Sequence, residues 1–148
     1  MTGNYHKNGT ERIYEGLQKL GIKDADHVIS LQGDEPAINP EDIKNLYSFM
    51  IKYNSDIGTL AAEIKEDSML NNESVVKVET GEKLKKNNFA FALNFSRKDL
   101  SKENSNVYHH IGIYCYKTSI LEKFVNLKQT VNEIKNRLEQ LRAIDNSI

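Results

Sequence analysis

The stretch His27-Val28-Ile29-Ser30-Leu31-Gln32-Gly33-Asp34-Glu35-Pro36 decides the fold. Its first half is short, apolar and contains adjacent β-branched residues, which is typical of a buried strand. Glycine, two acids and proline follow at once, so the strand is predicted to end in a polar turn. In α/β sheets, ligands bind beyond the carboxyl ends of strands. The segment therefore predicts a buried strand whose polar end adjoins a ligand site.

Helical patterns flank this strand on both sides. Upstream, apolar residues recur at i, i+4 and i+7 from Ile13, and we expect Thr10 to cap the helix and Gly21 to end it. Downstream, residues 39–42 (Asn-Pro-Glu-Asp) are typical of a helix start, with a cap, proline in the first turn and two acids. The apolar stripe of this second helix is expected to contain Ile43, Leu46, Tyr47, Met50 and Ile51.

Consecutive strands follow, and helices close the chain. Strands are predicted at residues 57–64, 75–78, 89–95 and 111–116, and a helix from Thr118 to Phe124. A last helix is predicted from Val131 to Ile144, with Ile134, Leu138 and Leu141 on its core face. This order of elements predicts a three-layer α/β/α fold with a mixed sheet.

The composition excludes several classes of protein. The 148 residues include 20 basic and 21 acidic ones, and a net charge of -1 argues against nucleic acid or an anionic membrane as a partner. No apolar run has the length of a transmembrane helix, and no signal peptide opens the sequence. Cys115 is the single cysteine, which excludes an internal disulfide and a cysteine-based zinc cluster. We therefore expect a cytoplasmic protein.

Asp34 is the first candidate for chemistry. A carboxylate directly after a buried strand can reach an Mg²⁺ ion that bridges substrate phosphates, and Mg²⁺ favours one or two carboxylates with phosphate and water oxygens. Gly33 beside it lets the backbone approach a ligand closely. The alternative is that Gly-Asp-Glu-Pro is an ordinary turn without a ligand.

The strand around residue 112 supplies a second candidate group. His110, Gly112, Tyr114 and Tyr116 share one face because side chains alternate along a strand. Such a face suits a pocket for a hydroxylated or carboxylated ligand, but taken alone it is better explained as a strand whose tyrosines pack against the neighbouring helix. His109 points to the opposite face, so the two histidines cannot form a metal pair.

Three further side chains have both a functional and a structural interpretation. Arg12 lies in the first turn of the first helix, where it is placed to hold a phosphate or a base, or simply belongs to the helix start. Glu139 and Gln140 lie off the apolar stripe of the last helix, either as ligand contacts or as a solvated face. Cys115 is expected to be a buried structural thiol rather than a nucleophile.

Five segments, taken in order, resemble one family. They are Gly9-Thr10-Glu11-Arg12-Ile13, Gln32-Gly33-Asp34-Glu35-Pro36, Phe95-Ser96-Arg97, His110-Ile111-Gly112-Ile113-Tyr114-Cys115-Tyr116 and Leu138-Glu139-Gln140-Leu141-Arg142. The set resembles the 3-deoxy-manno-octulosonate cytidylyltransferases, or CMP-KDO synthetases, from about residue 9 onward. The resemblance implies a nucleotide-diphospho-sugar transferase-like (Rossmann-like) fold, of which residues 1–148 are the central and C-terminal part of a single domain.

The resemblance also implies an activity. Members of this family transfer CMP from CTP to the sugar acid KDO, which gives CMP-KDO and diphosphate for lipopolysaccharide synthesis, and they commonly form homodimers. By resemblance, Asp34 is catalytic and holds Mg²⁺, and Arg12 lies near the nucleotide. The segments that match the sugar-acid pocket contribute Gln32, His110, Tyr114, Glu139 and Gln140.

Departures from the family pattern leave two alternatives open. No loop rich in arginine, serine, proline and lysine precedes Gly9, and the sequence stops before the family's C-terminal Gly-Val-Asp-Thr-Pro-like motif. We therefore expect an incomplete fold, an internal fragment or truncated product that is inactive alone. One alternative is a non-catalytic relic that acts only as a dimerisation or interaction domain. The other is a cytidylyltransferase for a different sugar acid.

Overall fold

The computed structural model describes residues 2–3, 6, 8–31, 38–85, 88–100 and 106–148. Among these residues the chain forms two compact units. The first unit consists of Met1–Gly58 and Gly112–Lys128, and the second consists of Thr59–Ile111 and Gln129–Ile148. The elements follow the predicted order of helices and strands with two differences: the short helix at Asp67–Asn71 was not predicted, and the predicted helix from Val131 to Ile144 is two helices.

Helix α1 spans Gly9–Lys19 and is capped by Asn8, whose side-chain oxygen accepts a hydrogen bond from the Glu11 backbone N–H at 2.9 Å. The prediction that Thr10 caps this helix is therefore wrong. Thr10 lies inside the first turn and is buried, with its hydroxyl 3.5 Å from that of Tyr116. The predicted end is confirmed, because Gly21 follows with a φ of 63°.

Strand β1 spans His27–Ser30, and helix α2 spans Pro40–Tyr53. Asn39 caps α2 as predicted, with its side chain accepting from the Glu41 N–H. The apolar stripe of α2 is narrower than predicted, since Leu46 and Met50 are buried whereas Tyr47 and Ile51 are exposed. The predicted polar turn at residues 33–36 lies outside the described residues.

Four more strands follow along the chain, and the last of them is the longest. They are β2 (Ile57–Ala62), β3 (Lys77–Thr80), β4 (Ala92–Ser96) and β5 (Val107–Lys117), and helix α3 (Asp67–Asn71) lies between β2 and β3. Strand β1 pairs with the C-terminal half of β5, with Val28 opposite Tyr116, and β3 pairs with both β4 and the N-terminal half of β5.

The α/β class predicted from the sequence is confirmed. We expected a mixed sheet, but the registers β1–β5, β3–β4 and β3–β5 are all antiparallel. The reason is that β1 and β2, which α2 connects, do not pair with each other. Each of them pairs with β5 instead.

Each unit has its own apolar cluster. In the first unit, Tyr114, Tyr116 and Leu121 are buried against side chains of α1 and β1. In the second unit, the cluster consists of Val78, Phe95, Tyr108, Leu138 and Leu141. In the part of the chain that the structure covers, no helix is both long and apolar enough to cross a lipid bilayer.

The C-terminal region forms α4 (Thr118–Asn126), α5 (Val131–Asn136) and α6 (Gln140–Asp145). The prediction of one helix from Val131 to Ile144 is wrong, because the helix is interrupted at Arg137, which has a φ of 54°. As a result, Ile134 is 60% exposed, whereas Leu138 and Leu141 are buried as expected.

A buried ion pair accounts for this break. Glu133 and Arg142 form a salt bridge. In a continuous α-helix, residues nine apart are separated by about 13 Å of rise and point to opposite faces. The break at Arg137 lets the chain turn back, so the two side chains meet.

Candidate active site

His110 is a predicted site residue with a buried polar side chain. It lies on β5 in the second unit and is 6% exposed. Its Nε2 lies 2.9 Å from Oγ1 of Thr59 on β2, and its ring meets the Phe95 ring edge to face with centroids 5.0 Å apart. The ring is therefore held on one side by a hydroxyl and on another by an aromatic ring.

The environment keeps His110 neutral at physiological pH. Burial lowers the pKa of His110 to about 4, and the neighbouring His109 acts in the same direction. A neutral imidazole carries one N–H donor and one acceptor nitrogen. His110 is thus suited to hydrogen bonds with hydroxyl groups and not to neutralising an anion.

Glu139 and Gln140 stand at the start of α6, where Glu139 is the N-cap residue. Both are half-buried, and the Oε2 atom of Glu139 and the Oε1 atom of Gln140 are closed off from solvent. The expectation of a purely solvated face is therefore wrong. A carboxylate and an amide side by side present acceptors and donors that suit a polyhydroxylated ligand.

Phe95 connects His110 with this helix start. Its ring contacts His110 on one side and belongs to the apolar cluster that contains Leu138 and Leu141. Those two leucines flank the Glu139–Gln140 pair in sequence. His110, Glu139 and Gln140 therefore lie in one compact unit, and Phe95 both contacts His110 and belongs to the cluster of the leucines on either side of the pair. The sequence analysis used Phe95 only as part of a motif.

The Glu133–Arg142 pair supports the segment that bears Glu139 and Gln140. Arg142 donates from Nε to Oε2 of Glu133 at 2.8 Å and from Nη2 to Oε1 at 2.5 Å, and both side chains are almost completely buried. The sequence analysis missed this pair. The sequence did contain a signal for Glu133, because Thr130 stands three residues before it in a capping-box pattern. This pattern predicts a helix that starts at Val131, with the Glu133 side chain accepting a hydrogen bond from the Thr130 backbone N–H.

Opposing effects determine the charge of Glu133. Burial alone would raise the pKa of its carboxyl, but hydrogen bonds from Arg142 and Gln129, the charge of Arg142 and the Thr130 backbone N–H outweigh that effect. The pKa of Glu133 is therefore below its ordinary value, and the carboxylate stays ionised opposite Arg142.

A second buried cation holds the Phe95-Ser96-Arg97 motif. The Lys77 ammonium is fully buried and donates to the carbonyls of Asn72 at 2.7 Å and Arg97 at 2.8 Å, while Nη1 of Arg97 donates to the Glu73 carbonyl at 3.1 Å. Burial lowers the pKa of Lys77, although the carboxylates of Asp99 and Glu73 oppose the shift. These contacts tie the end of β4 to the loop before β3.

Tyr114 and Arg12 belong to the first unit. Tyr114 is buried and stacks on Tyr116, with ring centroids 5.7 Å apart, and both tyrosines pack in one cluster with side chains of α1, as the packing interpretation expects. Arg12 is exposed in the first turn of α1. Cys115 is buried, and burial raises the pKa of its thiol to about 11, as expected of an unreactive structural cysteine.

The two predicted residues at the end of β1 cannot be placed. Gln32 and Asp34 lie outside the described residues, so their roles stay predictions. Within the ranges that the structure does describe, no three His, Cys, Asp or Glu side chains form a metal-binding group.

Comparisons with known proteins agree with one another. The profile of the cytidylyltransferase family matches residues 1–148. A 3-deoxy-manno-octulosonate cytidylyltransferase of Bartonella bacilliformis is 38% identical over 149 residues, which cover 100% of this chain and 60% of the relative. Its counterpart in Brucella anthropi is 40% identical over 146 residues, with 98% and 58% covered.

A solved structure extends the likeness to the fold. The structure of a CMP:2-keto-3-deoxy-manno-octonic acid synthetase complexed with CTP superposes with a TM-score of 0.83 at 33% identity. The match covers 100% of this chain and 59% of that one. The chain thus spans about three fifths of the length of these relatives.

Proposed function

Because this chain belongs to the cytidylyltransferase family, we propose that it forms the central, sugar-binding part of an enzyme that transfers CMP from CTP to KDO. The products are CMP-KDO and diphosphate, and CMP-KDO serves lipopolysaccharide synthesis in the cytoplasm. Homodimers of this enzyme are part of the same proposal.

One observation carries the choice of a sugar acid as the substrate. In the second unit, a neutral, buried histidine contacts Phe95, and the apolar cluster of Phe95 includes the two leucines that flank a carboxylate and an amide in sequence. His110 can exchange hydrogen bonds with hydroxyl groups without placing a charge in the pocket, and Glu139 and Gln140 add an acceptor-rich edge. KDO carries several hydroxyl groups, and this donor and acceptor set matches them.

The remaining residues are assigned by their place in the matching motifs. Asp34 is proposed to hold Mg²⁺, Arg12 to lie near the nucleotide, and Gln32 and Tyr114 to take part in recognition of the sugar acid. When bound, Mg²⁺ neutralises charge on the phosphate oxygens.

The proposed reaction needs positioning more than covalent chemistry by the protein. The anomeric hydroxyl oxygen of KDO forms a bond to the α-phosphorus of CTP, and the bond from that phosphorus to the oxygen bridging to the β-phosphorus breaks. Diphosphate leaves with the bridging oxygen, and the hydroxyl proton passes to solvent. The sugar-binding side chains hold that hydroxyl in line with the leaving group, and such alignment supplies a large part of the rate in phosphoryl-type transfer.

The test uses a completed enzyme, defined as this chain joined to the parts of the Bartonella bacilliformis relative outside its match. Diphosphate release is measured with CTP, Mg²⁺ and KDO, and with UTP or N-acetylneuraminate in place of one substrate. We expect turnover that requires both CTP and KDO. A strong preference for another sugar acid would identify a different cytidylyltransferase, and a folded dimer without turnover would favour the non-catalytic relic.

A further inference from the structure

The helix interruption at Arg137 has two unfavourable features. Arg137 has φ and ψ of 54° and 46°, the left-handed region that residues other than glycine avoid because Cβ approaches the following carbonyl oxygen. Ile134 is exposed, although in a continuous helix it would share a face with the buried Leu138. Other contacts in the second unit must therefore offset both features.

The sequence of residues 131–144 favours a continuous helix. It contains neither glycine nor proline, and its apolar residues recur with a helical period. In such a helix Glu139 would lie opposite the apolar stripe, on the solvated face that the sequence analysis weighed. In the structure, Oε2 of Glu139 and Oε1 of Gln140 are instead closed off from solvent. The interruption at Arg137 therefore changes the surroundings of the pair on which sugar recognition is proposed to depend.

The ion pair of Glu133 and Arg142 distinguishes the interrupted form from a continuous helix. Residues nine apart on a continuous helix point to opposite faces, so this pair forms only when the helix is interrupted. Arg142 donates from Nε and Nη2 to the two carboxylate oxygens of Glu133, and the two side chains are 1% and 4% exposed. A bidentate, charge-assisted pair is among the stronger polar contacts in proteins, and it stabilises only the interrupted form.

We propose that Glu133 and Arg142 are positioning residues for the sugar acid. Their ion pair keeps the helix interrupted at Arg137, and the interruption places Glu139 and Gln140 for contact with the ligand. The second half of this proposal rests on the proposed function, since it concerns recognition of KDO. Arg137→Gly should supply the same interruption without the ion pair, because glycine adopts a positive φ readily and disfavours helix interiors.

The first experiment follows the backbone by NMR of the 148-residue chain. Backbone chemical shifts of residues 136–139 distinguish the interrupted form from a continuous helix. We expect the interrupted form in the wild type and a continuous helix in Glu133→Leu/Arg142→Met, which replaces both charges by apolar groups. The interrupted form should return when Arg137→Gly is added to this double variant. Arg137→Gly alone is the matched control, because it keeps the ion pair.

The second experiment measures KM values for the same four chains in the completed enzyme. Misplacement of two ligand contacts is expected to raise the KM for KDO about tenfold in Glu133→Leu/Arg142→Met, with the KM for CTP within about twofold of wild type. Adding Arg137→Gly should return the KM for KDO to within about twofold of wild type, and Arg137→Gly alone should leave it there. Urea midpoints are measured alongside, since a merely structural effect would follow stability and would not be reversed by glycine.

A second double variant removes the ion pair but keeps the start of α5. In Glu133→Gln/Arg142→Met, glutamine preserves the capping box with Thr130. The same chemical shifts and the same rise in the KM for KDO are expected. This variant decides the matter if the leucine variant does not fold.

The outcomes separate this inference from the function on which its second half rests. An interrupted helix in a folded double variant overturns the role of the ion pair. A continuous helix with an unchanged KM for KDO overturns the link to recognition, as does a KM that stays raised after Arg137→Gly restores the interruption. The expected chemical shifts without any KDO turnover by the wild-type completed enzyme would count against the proposed function and leave the ion pair as the contact that holds the interruption.

Discussion

Removing the Glu133 carboxylate should destabilise the second unit more than any surface charge change. The substitution Glu133→Ala takes away the acceptor of two Arg142 N–H groups, of the Gln129 amide at 3.1 Å and of the Thr130 backbone N–H at 3.3 Å. Arg142 is 1% exposed, so its guanidinium would lose its ion-pair partner in the interior.

The magnitude follows from these contacts. Breaking a buried ion pair by deleting one partner costs about 3–5 kcal/mol, because the other charge is left uncompensated. Loss of the capping box adds about 1 kcal/mol, part of which overlaps with the first effect. We therefore expect a loss of about 4 kcal/mol in the free energy of unfolding, a large fraction of the roughly 5–15 kcal/mol that is typical of a domain.

The assay is urea unfolding at pH 7, followed by far-ultraviolet circular dichroism and by tyrosine fluorescence, since the chain has seven tyrosines and no tryptophan. Asp56→Asn is the matched control. It removes the carboxylate of an ion pair with Lys117 at 2.8 Å, but the Asp56 side chain is 46% exposed, so about 1 kcal/mol or less is expected.

A double variant tests the cause of the loss. Glu133→Leu combined with Arg142→Met replaces both charges by apolar groups of similar size and should recover much of the stability that Glu133→Ala loses. A cost below about 1.5 kcal/mol for Glu133→Ala, or one equal to that of Asp56→Asn, would refute the reasoning. Failure of the double variant to improve on the single one would show that the capping contacts dominate.

Three further predictions concern the proposed site. In the completed enzyme, Asp34→Asn should lower turnover about a hundredfold or more with the fold unchanged, because asparagine keeps the size but lacks the charge that Mg²⁺ needs; near-normal turnover would remove Asp34 from the metal site. His110→Ala and Glu139→Ala should each raise the KM for KDO far more than that for CTP, and equal effects would indicate misfolding. As the pH falls from 6.5 to 4, protonation linked to His110 should lower the free energy of unfolding by about 3 kcal/mol. His110→Gln should flatten the plot of urea midpoint against pH over that range.

The sign of the pH effect follows from the two states of His110. Its pKa is about 4 in the folded chain and near the ordinary 6.5 in the unfolded chain, so the unfolded state binds a proton first as the pH falls. The stabilisation from the neutral ring is complete above pH 6.5 and is lost as the pH falls toward 4. A profile that is equally steep in His110→Gln would assign the loss to carboxylates instead.

Local patterns determined much of what could be predicted from the sequence. Asn39 and Pro40 begin α2 as expected, because a cap and a proline act within one turn of chain. β1 begins at His27 as its apolar run predicts, and Gly21 ends the first helix because glycine readily adopts a positive φ. The motifs that resemble the family needed only residue order, and the family match confirms them.

Other features were decided only by the tertiary structure, because in them contacts between separate elements override the local preference of the chain. A single helical period runs from Val131 to Ile144, yet residues nine apart in a continuous helix point to opposite faces, so the buried pair of Glu133 and Arg142 forms only with the break at Arg137. Likewise, residues 59 and 110 are 51 positions apart, and only strand pairing brings the Thr59 hydroxyl to the His110 ring. The hydrophobic periodicity of a sequence indicates which side chains share a face. The partner of a buried polar group depends instead on which strands and helices pack together.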